Sequence, residues 1–258
     1  MTYIKACLLY LISLCLSATV FAAASVLIWP IDPVLEDYQN ASAIWLENKG
    51  QETVYFQVRV LDWQQENNED KLSSQKDITV SPPFALIKPN EKQLIRLVRT
   101  PSAKLPEGSE KAYRILVDEI PKKDTDTNQD KKITTAGLQF QMRYSVPLFS
   151  SGKNVWTKED YENKRAPETV SLPKLSYRLI DQKNQQWLEI HNSGSVHARI
   201  SNITNKSTVL MNGLVGYVLP SSTMRWAIPK QHSIKGSEQI SAQVNNEKQP
   251  MNLIKESL

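Results

Sequence analysis

Leu138-Gln139-Phe140-Gln141-Met142-Arg143-Tyr144-Ser145-Val146 alternates large apolar and polar side chains at every step. Successive side chains of a β-strand point to opposite faces, so this period of two predicts a strand rather than a helix. Leu138, Phe140, Met142, Tyr144 and Val146 then form one apolar stripe, and Gln139, Gln141, Arg143 and Ser145 face the other way. Two readings of the stripe stand open. It is a half-buried strand facing its own core, or it is an edge strand offered to a partner. The long polar stretch before it and its place as the last strand before a break in the pattern favour the second reading. An exposed apolar edge is an aggregation hazard unless something is meant to fill it.

The same β texture runs outward in both directions. Short runs rich in Val, Ile, Leu, Tyr and Trp recur between Gly, Pro, Asn, Asp and Ser, and helical periodicity is hard to find. The first half predicts strands at 25–31, 41–47, 53–63, 84–87, 93–99, 113–120 and 137–149. Seven short strands in about 125 residues fit an immunoglobulin-like sandwich. Residues 121–136, PKKDTDTNQDKKITTA, carry no aromatic side chain and read as a solvated loop. The pattern breaks at Ser150-Ser151-Gly152, and again at Pro167 and Pro173. Strands resume at 176–180, 187–191, 197–202, 216–219, 224–228 and 240–244, which predicts a second, smaller β domain. The expected fold class is therefore all-β. Its expected divisions are an N-terminal domain over 25–149 with the alternating strand at 137–149, an inter-domain segment over 150–173, and a C-terminal β-sandwich over 174–258.

The first 24 residues stand apart. One lysine, Lys5, precedes an almost wholly apolar run over 6–21, and Ala22, Ala23 and Ala24 follow. That is the pattern of a secretory signal peptide cleaved near Ala24. The run is short for a bilayer span of about 20 residues. Both cysteines, Cys7 and Cys15, fall in this leader, so the mature chain has neither thiol nor disulfide. Cys15 follows Leu14, where lipid attachment wants a small residue. No second long apolar run follows, so the mature chain is not expected to be membrane-embedded. Without the leader the chain has 30 basic against 27 acidic residues. That balance lacks the clustered excess of a nucleic-acid-binding surface.

Ser81-Pro82-Pro83-Phe84-Ala85-Leu86-Ile87-Lys88-Pro89-Asn90-Glu91-Lys92-Gln93-Leu94-Ile95-Arg96-Leu97 resembles the PapD-like periplasmic pilus chaperones. In that family a Pro-Pro pair, an apolar residue two before a proline and an apolar-Arg-apolar strand recur at this spacing. The resemblance continues through Leu105-Pro106 and Tyr113-Arg114-Ile115-Leu116-Val117-Asp118-Glu119-Ile120-Pro121, a strand ending in Glu-Ile-Pro. A variable loop and an alternating donor strand come next in the family, matching Leu138 to Val146. In the second half, Leu188-Glu189-Ile190-His191-Asn192-Ser193 is similar to the family's apolar strand ending in Asn and a turn. The likeness is strong over 41–149 and weak beyond Asn202.

The resemblance implies a boomerang of two immunoglobulin-like domains. It also implies a chaperone that lends its strand to an incomplete pilus subunit by β-augmentation, then yields it at an outer-membrane usher. Leu138, Phe140, Met142, Tyr144 and Val146 would fill the subunit's groove, with no cofactor and no nucleotide. A second copy of the chain can cap such a stripe, giving a self-capped dimer of the free protein. Family members anchor the subunit's C-terminal carboxylate with an Arg in the first strand and a Lys late in the donor strand. Those places hold Asp32 and Pro147 here, which makes the chain resemble the divergent, archaic branch. A replacement cation is expected nearby. Arg114 is the first candidate, because a guanidinium grips a carboxylate bidentately, and Arg143 is the second. For each, a solvated surface arginine is the alternative. The resemblance further makes Glu119 a bridge between the domains.

Other signals carry less. His191 and His197 flank a plausible hairpin turn and could approach as metal ligands, but no cysteine and no nearby third histidine assists. Neither a Gly-x-Ser-x-Gly elbow nor a phosphate-binding Gly-rich loop is present, so an enzyme is not expected. Trp45, Trp63 and Trp187 fall in strand patterns and read as core. Trp29, before Pro30, is placed near the subunit groove. The rival to an assembly chaperone is a two-domain immunoglobulin-like structural or adhesive surface protein that never releases its partner. A pilin is a weaker rival, since the chain has only 8 glycines in 258 residues.

Overall fold

The computed structural model describes residues 26–121, 141–156, 169–234, 239–245, 247 and 249–256. The leader, most of the polar stretch 121–136, and Leu138 and Phe140 lie outside the described residues.

The expected all-β architecture is what the structure shows. In the first half, β1 (Val26–Trp29), β2 (Val34–Leu35), β3 (Ala41–Asn48), β4 (Val54–Glu66), β5 (Glu69–Ser73), β6 (Ile78–Ser81), β7 (Phe84–Ile87), β8 (Lys92–Arg99), β9 (Glu110–Ile120) and β10 (Arg143–Ser151) form two sheets. One has the order β1-β3-β8-β6. The other has the order β2-β10-β9-β4-β5, with β7 also on β4. Alternation decides the faces. Ile44 and Leu46 of β3, Phe56 and Val58 of β4, Ile95 and Leu97 of β8, and Ile115 and Val117 of β9 meet in one core between the sheets.

The second half repeats the plan with β11 (Leu175–Gln182), β12 (Gln185–Asn192), β13 (Ala198–Asn205), β14 (Thr208–Val218), β15 (Ser222–Ala227), β16 (Ile240–Val244), β17 (Met251–Asn252) and β18 (Ile254–Lys255). Its sheets run β15-β12-β11-β18 and β14-β13-β16-β17. Leu188, Ile190, Ile200, Ile203, Val218 and Ile240 lie at the centre of their shared core.

The same device closes both sandwiches. Asn48 and Asn192 each end a strand, and each is fully buried. The Asn48 amide donates to the Glu52 and Ile87 carbonyls at 2.6 and 2.9 Å, and its oxygen accepts from the Gly50 N–H at 2.9 Å. The Asn192 amide donates to the Val196 and Val218 carbonyls at 2.8 and 3.1 Å, and its oxygen accepts from Gly194 and Lys174 at 3.0 and 3.2 Å. One short side chain thus satisfies turn groups that burial removes from water. The Cβ of any other residue at Gly194 would meet the Lys174 nitrogen at 2.6 Å, so the close turn requires glycine there.

Five strands were not expected, among them β6, whose four residues ITVS run directly into the Pro82-Pro83 pair. β5 has the sequence EDKLS and is exposed along its length. It is held by main-chain pairing to β4 through a turn in which Asn67 and Asn68 both have positive φ, 55° and 64°. A strand that buries no side chain leaves no hydrophobic signature. β2, β17 and β18 have two residues each, too short for a periodicity to show.

Two stability outcomes follow. Asn192→Ala strands several buried turn groups, each costing about 1–3 kcal/mol, and a fall in the urea midpoint of unfolding checks it. Asp77 accepts hydrogen bonds from Lys111 Nζ at 2.7 Å and from the buried Tyr113 hydroxyl at 2.9 Å. The Lys111 bond holds its carboxyl below the usual range against the opposing effect of burial, and Tyr113 adds to the lowering. A depressed carboxyl stabilises the fold above its unfolded-state value and loses that contribution as pH falls through the folded value. Asp77→Asn therefore lowers the melting temperature at neutral pH and flattens its decline below about pH 4; an unchanged acid limb would refute this.

Candidate functional site

β10 pairs antiparallel with β9 over its whole length, from Arg143 opposite Asp118 to Ser151 opposite Glu110. On its other side it meets only β2, in parallel, at Phe149 and Ser150. Among the described residues no strand pairs with that side from Arg143 to Leu148. The second sheet therefore ends in an open edge in the predicted donor strand.

The apolar stripe divides along this strand. Val146 and Leu148 are buried in the core of the first sandwich, and Tyr144 is half-buried against it. Met142 is 41% exposed. The expectation that Val146 faces a partner gives way to a place in its own core, because β10 is there covered by the opposite sheet. The open part of the stripe begins at Tyr144 and runs toward Met142. A second exposed run lies at the neighbouring edge of the first sheet. Leu27 and Ile31 are 48% and 66% exposed, and between them Trp29 stacks on Trp45 at 6.1 Å. Lys92 lies 4.9 Å from the Trp45 ring centroid, so Trp45 sits on the outer face rather than in the core expected for it.

Charge gathers on the outer face of the second sheet. Asp118 accepts from Arg59 Nη2 at 2.6 Å and from Arg143 Nε, tying the start of β10 to β4 across β9. Burial acts to raise the Asp118 carboxyl, but the hydrogen bonds and charges of Arg143 and Arg59 outweigh it and hold the carboxyl low. Arg143 is thus an exposed but paired cation. Arg114 is placed differently. It faces Pro147 across the β9–β10 pair. Its guanidinium lies 3.6 Å over the Trp63 ring and 5.3 Å from the Tyr217 ring, with Asp70 at 3.9 Å. Burial draws its pKa down, opposed by Asp70 and Tyr217.

Arg114 belongs to the joint between the sandwiches. Trp63, Ala112, Phe149 and Leu219 are buried together there, with Tyr217 against them. The Gln65 amide donates to the Tyr217 carbonyl and accepts from the Leu219 N–H, both at 2.9 Å. Glu110 accepts from the His197 N–H at 2.8 Å and pairs with His197 Nδ1 at 2.9 Å. The His197 ring stacks on Phe149 at 3.4 Å. The bridge expected at Glu119 is therefore made by Glu110. Glu119 lies at the opposite end of β9, where its N–H bonds the Met142 carbonyl. Trp63, expected in a core, seals this joint. The parts of Glu110, Phe149, His197 and Tyr217 in this joint leave no local pattern in the sequence, because their partners lie far along the chain, 87 residues apart for Glu110 and His197 and 152 for Gln65 and Tyr217. His191 instead bonds Thr223 at 3.0 Å, and no group of three potential metal ligands gathers among the described residues. No described helix is long and apolar enough to cross a membrane.

The family model for the pili and flagellar-assembly chaperone PapD N-terminal domain matches residues 33–155. No curated protein matches the chain. The chaperone–tip adhesion subunit complex of the archaic chaperone–usher Csu pili of Acinetobacter baumannii contains a chain 33% identical to this one. The match covers 91% of this chain and 100% of that one, with a TM-score of 0.73. The Salmonella enterica SafA pilin–SafB chaperone complex matches at 17% identity over 90% and 97% of the two chains, with a TM-score of 0.59. The periplasmic chaperone SfaE matches at 13% identity over 89% and 100%, with a TM-score of 0.57, a likeness of fold. With two immunoglobulin-like sandwiches, a PapD-type first domain and a relative one-third identical over nearly its whole length, the chain belongs to the PapD-like pilus-assembly chaperones, in their archaic branch.

Proposed function

We propose that this chain is a periplasmic chaperone that holds pilus subunits by donating β10 and delivers them to an outer-membrane usher. The observation that carries the reading is the open edge of β10, continuous with an exposed apolar stripe at Met142 and Tyr144. Two similar structures are complexes of a chaperone with a pilus subunit. A subunit strand added at this edge satisfies main-chain groups on both sides, and alternate side chains enter its groove. Leu138, Phe140, Met142 and Tyr144 are the proposed donors. Val146 marks where the stripe turns into the chaperone's own core. Each large side chain buried contributes about 1.5–3 kcal/mol before association costs. Leu27, Trp29 and Ile31, on the neighbouring edge, would line the other wall of the bound subunit. The export signal is residues 1–24, the subunit-binding domain 25–149, the connection 150–173 and the second domain 174–258. No step of this activity calls for a cofactor or a catalytic group. Two free chains would cap each other's stripe.

Arg114 is the proposed anchor of the subunit's terminal carboxylate. It is a cation held in the joint beside Pro147, with Asp70 no nearer than 3.9 Å, whereas Arg143 is hydrogen-bonded to Asp118.

Co-expression with a candidate pilus subunit tests the reading. The wild type should yield soluble subunit in a 1:1 complex, and a folded Phe140→Asp/Met142→Asp variant should not. A folded double variant that holds the subunit equally well would remove the donor-strand assignment. Arg114→Leu should weaken binding about tenfold or more, the scale of a lost charged hydrogen bond. That loss should vanish for a subunit lacking its C-terminal residues. An equal loss with the truncated subunit would assign Arg114 to the joint alone.

A further inference from the structure

β10 carries a proline, Pro147, inside a paired strand. Proline brings no N–H to a ladder, so it fits a sheet only where that N–H would point away from the existing partner. The hydrogen-bond parity of β10 shows where it points. Glu119 donates its N–H to the Met142 carbonyl at 2.9 Å, and Arg143 stands opposite Asp118. In an antiparallel ladder this places the groups of residues 144, 146 and 148 toward β9 and those of Arg143, Ser145, Pro147 and Phe149 toward the open edge. Phe149 agrees, since its N–H reaches the Pro33 carbonyl beside β2 at 3.4 Å. Along the open edge, donors therefore stand at Arg143 and Ser145, are missing at Pro147, and are already engaged at Phe149.

The gap acts from both sides. β2 runs parallel to β10, with Val34 opposite Phe149. Lengthening that pairing toward Ile31 would need an N–H at residue 33 and then one at residue 147; both are prolines, so β2 stops and the edge stays open. An incoming strand meets the same gap. Alternation selects which face that strand presents, but a slip of two residues preserves the face. The stripe alone thus leaves two-residue alternatives, and the one that sets a partner carbonyl against Pro147 leaves that carbonyl without a donor.

We propose that Pro147 is a register stop, which ends the ladder with a pilus subunit's strand at Ser145 and separates the donated edge from the part β2 occupies. This rests on the strand-donation reading. The chain has cysteines only at positions 7 and 15, so engineered ones report without interference. Arg143→Cys would be co-expressed with a pilus subunit bearing single cysteines along its pairing strand, and the disulfide-linked products mapped. With Pro147 in place, one subunit position should dominate. Moving the proline, in Ser145→Pro/Pro147→Ala, should shift the dominant position by two residues. Pro147→Ala alone should divide the product between two positions, two residues apart. Ser145 directs its N–H to the open edge, so proline there removes no bond to β9, and thermal unfolding of the free chain checks that each variant folds. If the double variant does not fold, Pro147→Ala decides by giving one position or two. Complexes of normal yield with an unmoved position would overturn the register stop and leave strand donation standing. Folded chain with Pro147 intact that forms no cross-linked complex would overturn strand donation, and the register stop with it.

Discussion

The antiparallel pairing of β9 with β10 is the contact on which the proposed recognition depends. β9 lies between β4 and β10, so its inward residues Ile115 and Val117 are locked into the core while its far side holds β10 in register. From Arg143 to Leu148 β10 is held on one side only among the described residues, and so keeps a row of main-chain groups directed outward. A strand free on both sides would lose its conformation, and one paired on both would have nothing to offer. Asp118 adds a lateral tie at the start of β10 through Arg59 and Arg143. Such an exposed ion-pair network contributes modestly to stability, but it restrains the end of the strand nearest the open stripe.

The same two strands carry the joint. Glu110 begins β9 and meets His197, while Phe149 lies late in β10 and stacks on the same imidazole. The strand proposed to bind a subunit is therefore part of the surface that sets the second sandwich against the first. Arg114, between Trp63 and Tyr217, lies where joint and edge meet. A guanidinium suits this place, because its flat faces stack on aromatic rings while its edge keeps donors for an anion.

Several features were legible because they are local. The strands that became β4, β8 and β9 stand out as short apolar-rich runs between turn residues. The motif from Ser81 to Leu97 pointed to the family. The illegible parts are those in which no side chain is buried or in which distant residues meet. β5 buries no side chain and is held by main-chain pairing to β4 with polar contacts at Asp70, and Glu110 reaches His197 across 87 residues. The resemblance points to Glu119 for the bridge, but strand direction puts Glu119 at the end of β9 away from the joint.

The sequence by itself determined an all-β chain, its two sandwiches, the alternating stripe and the absence of the usual cations at Asp32 and Pro147. The first three follow from residue identity and spacing along the strands, and the last from the resemblance to the family. Only the tertiary structure decided that Val146 turns inward while Met142 stays open, that Arg114 lies in the joint, and that the missing donor of Pro147 faces the open edge. The reason is physical. A strand's alternation states that two faces differ, but which face is covered, and which edge is left unpaired, depends on neighbours that come from elsewhere in the chain.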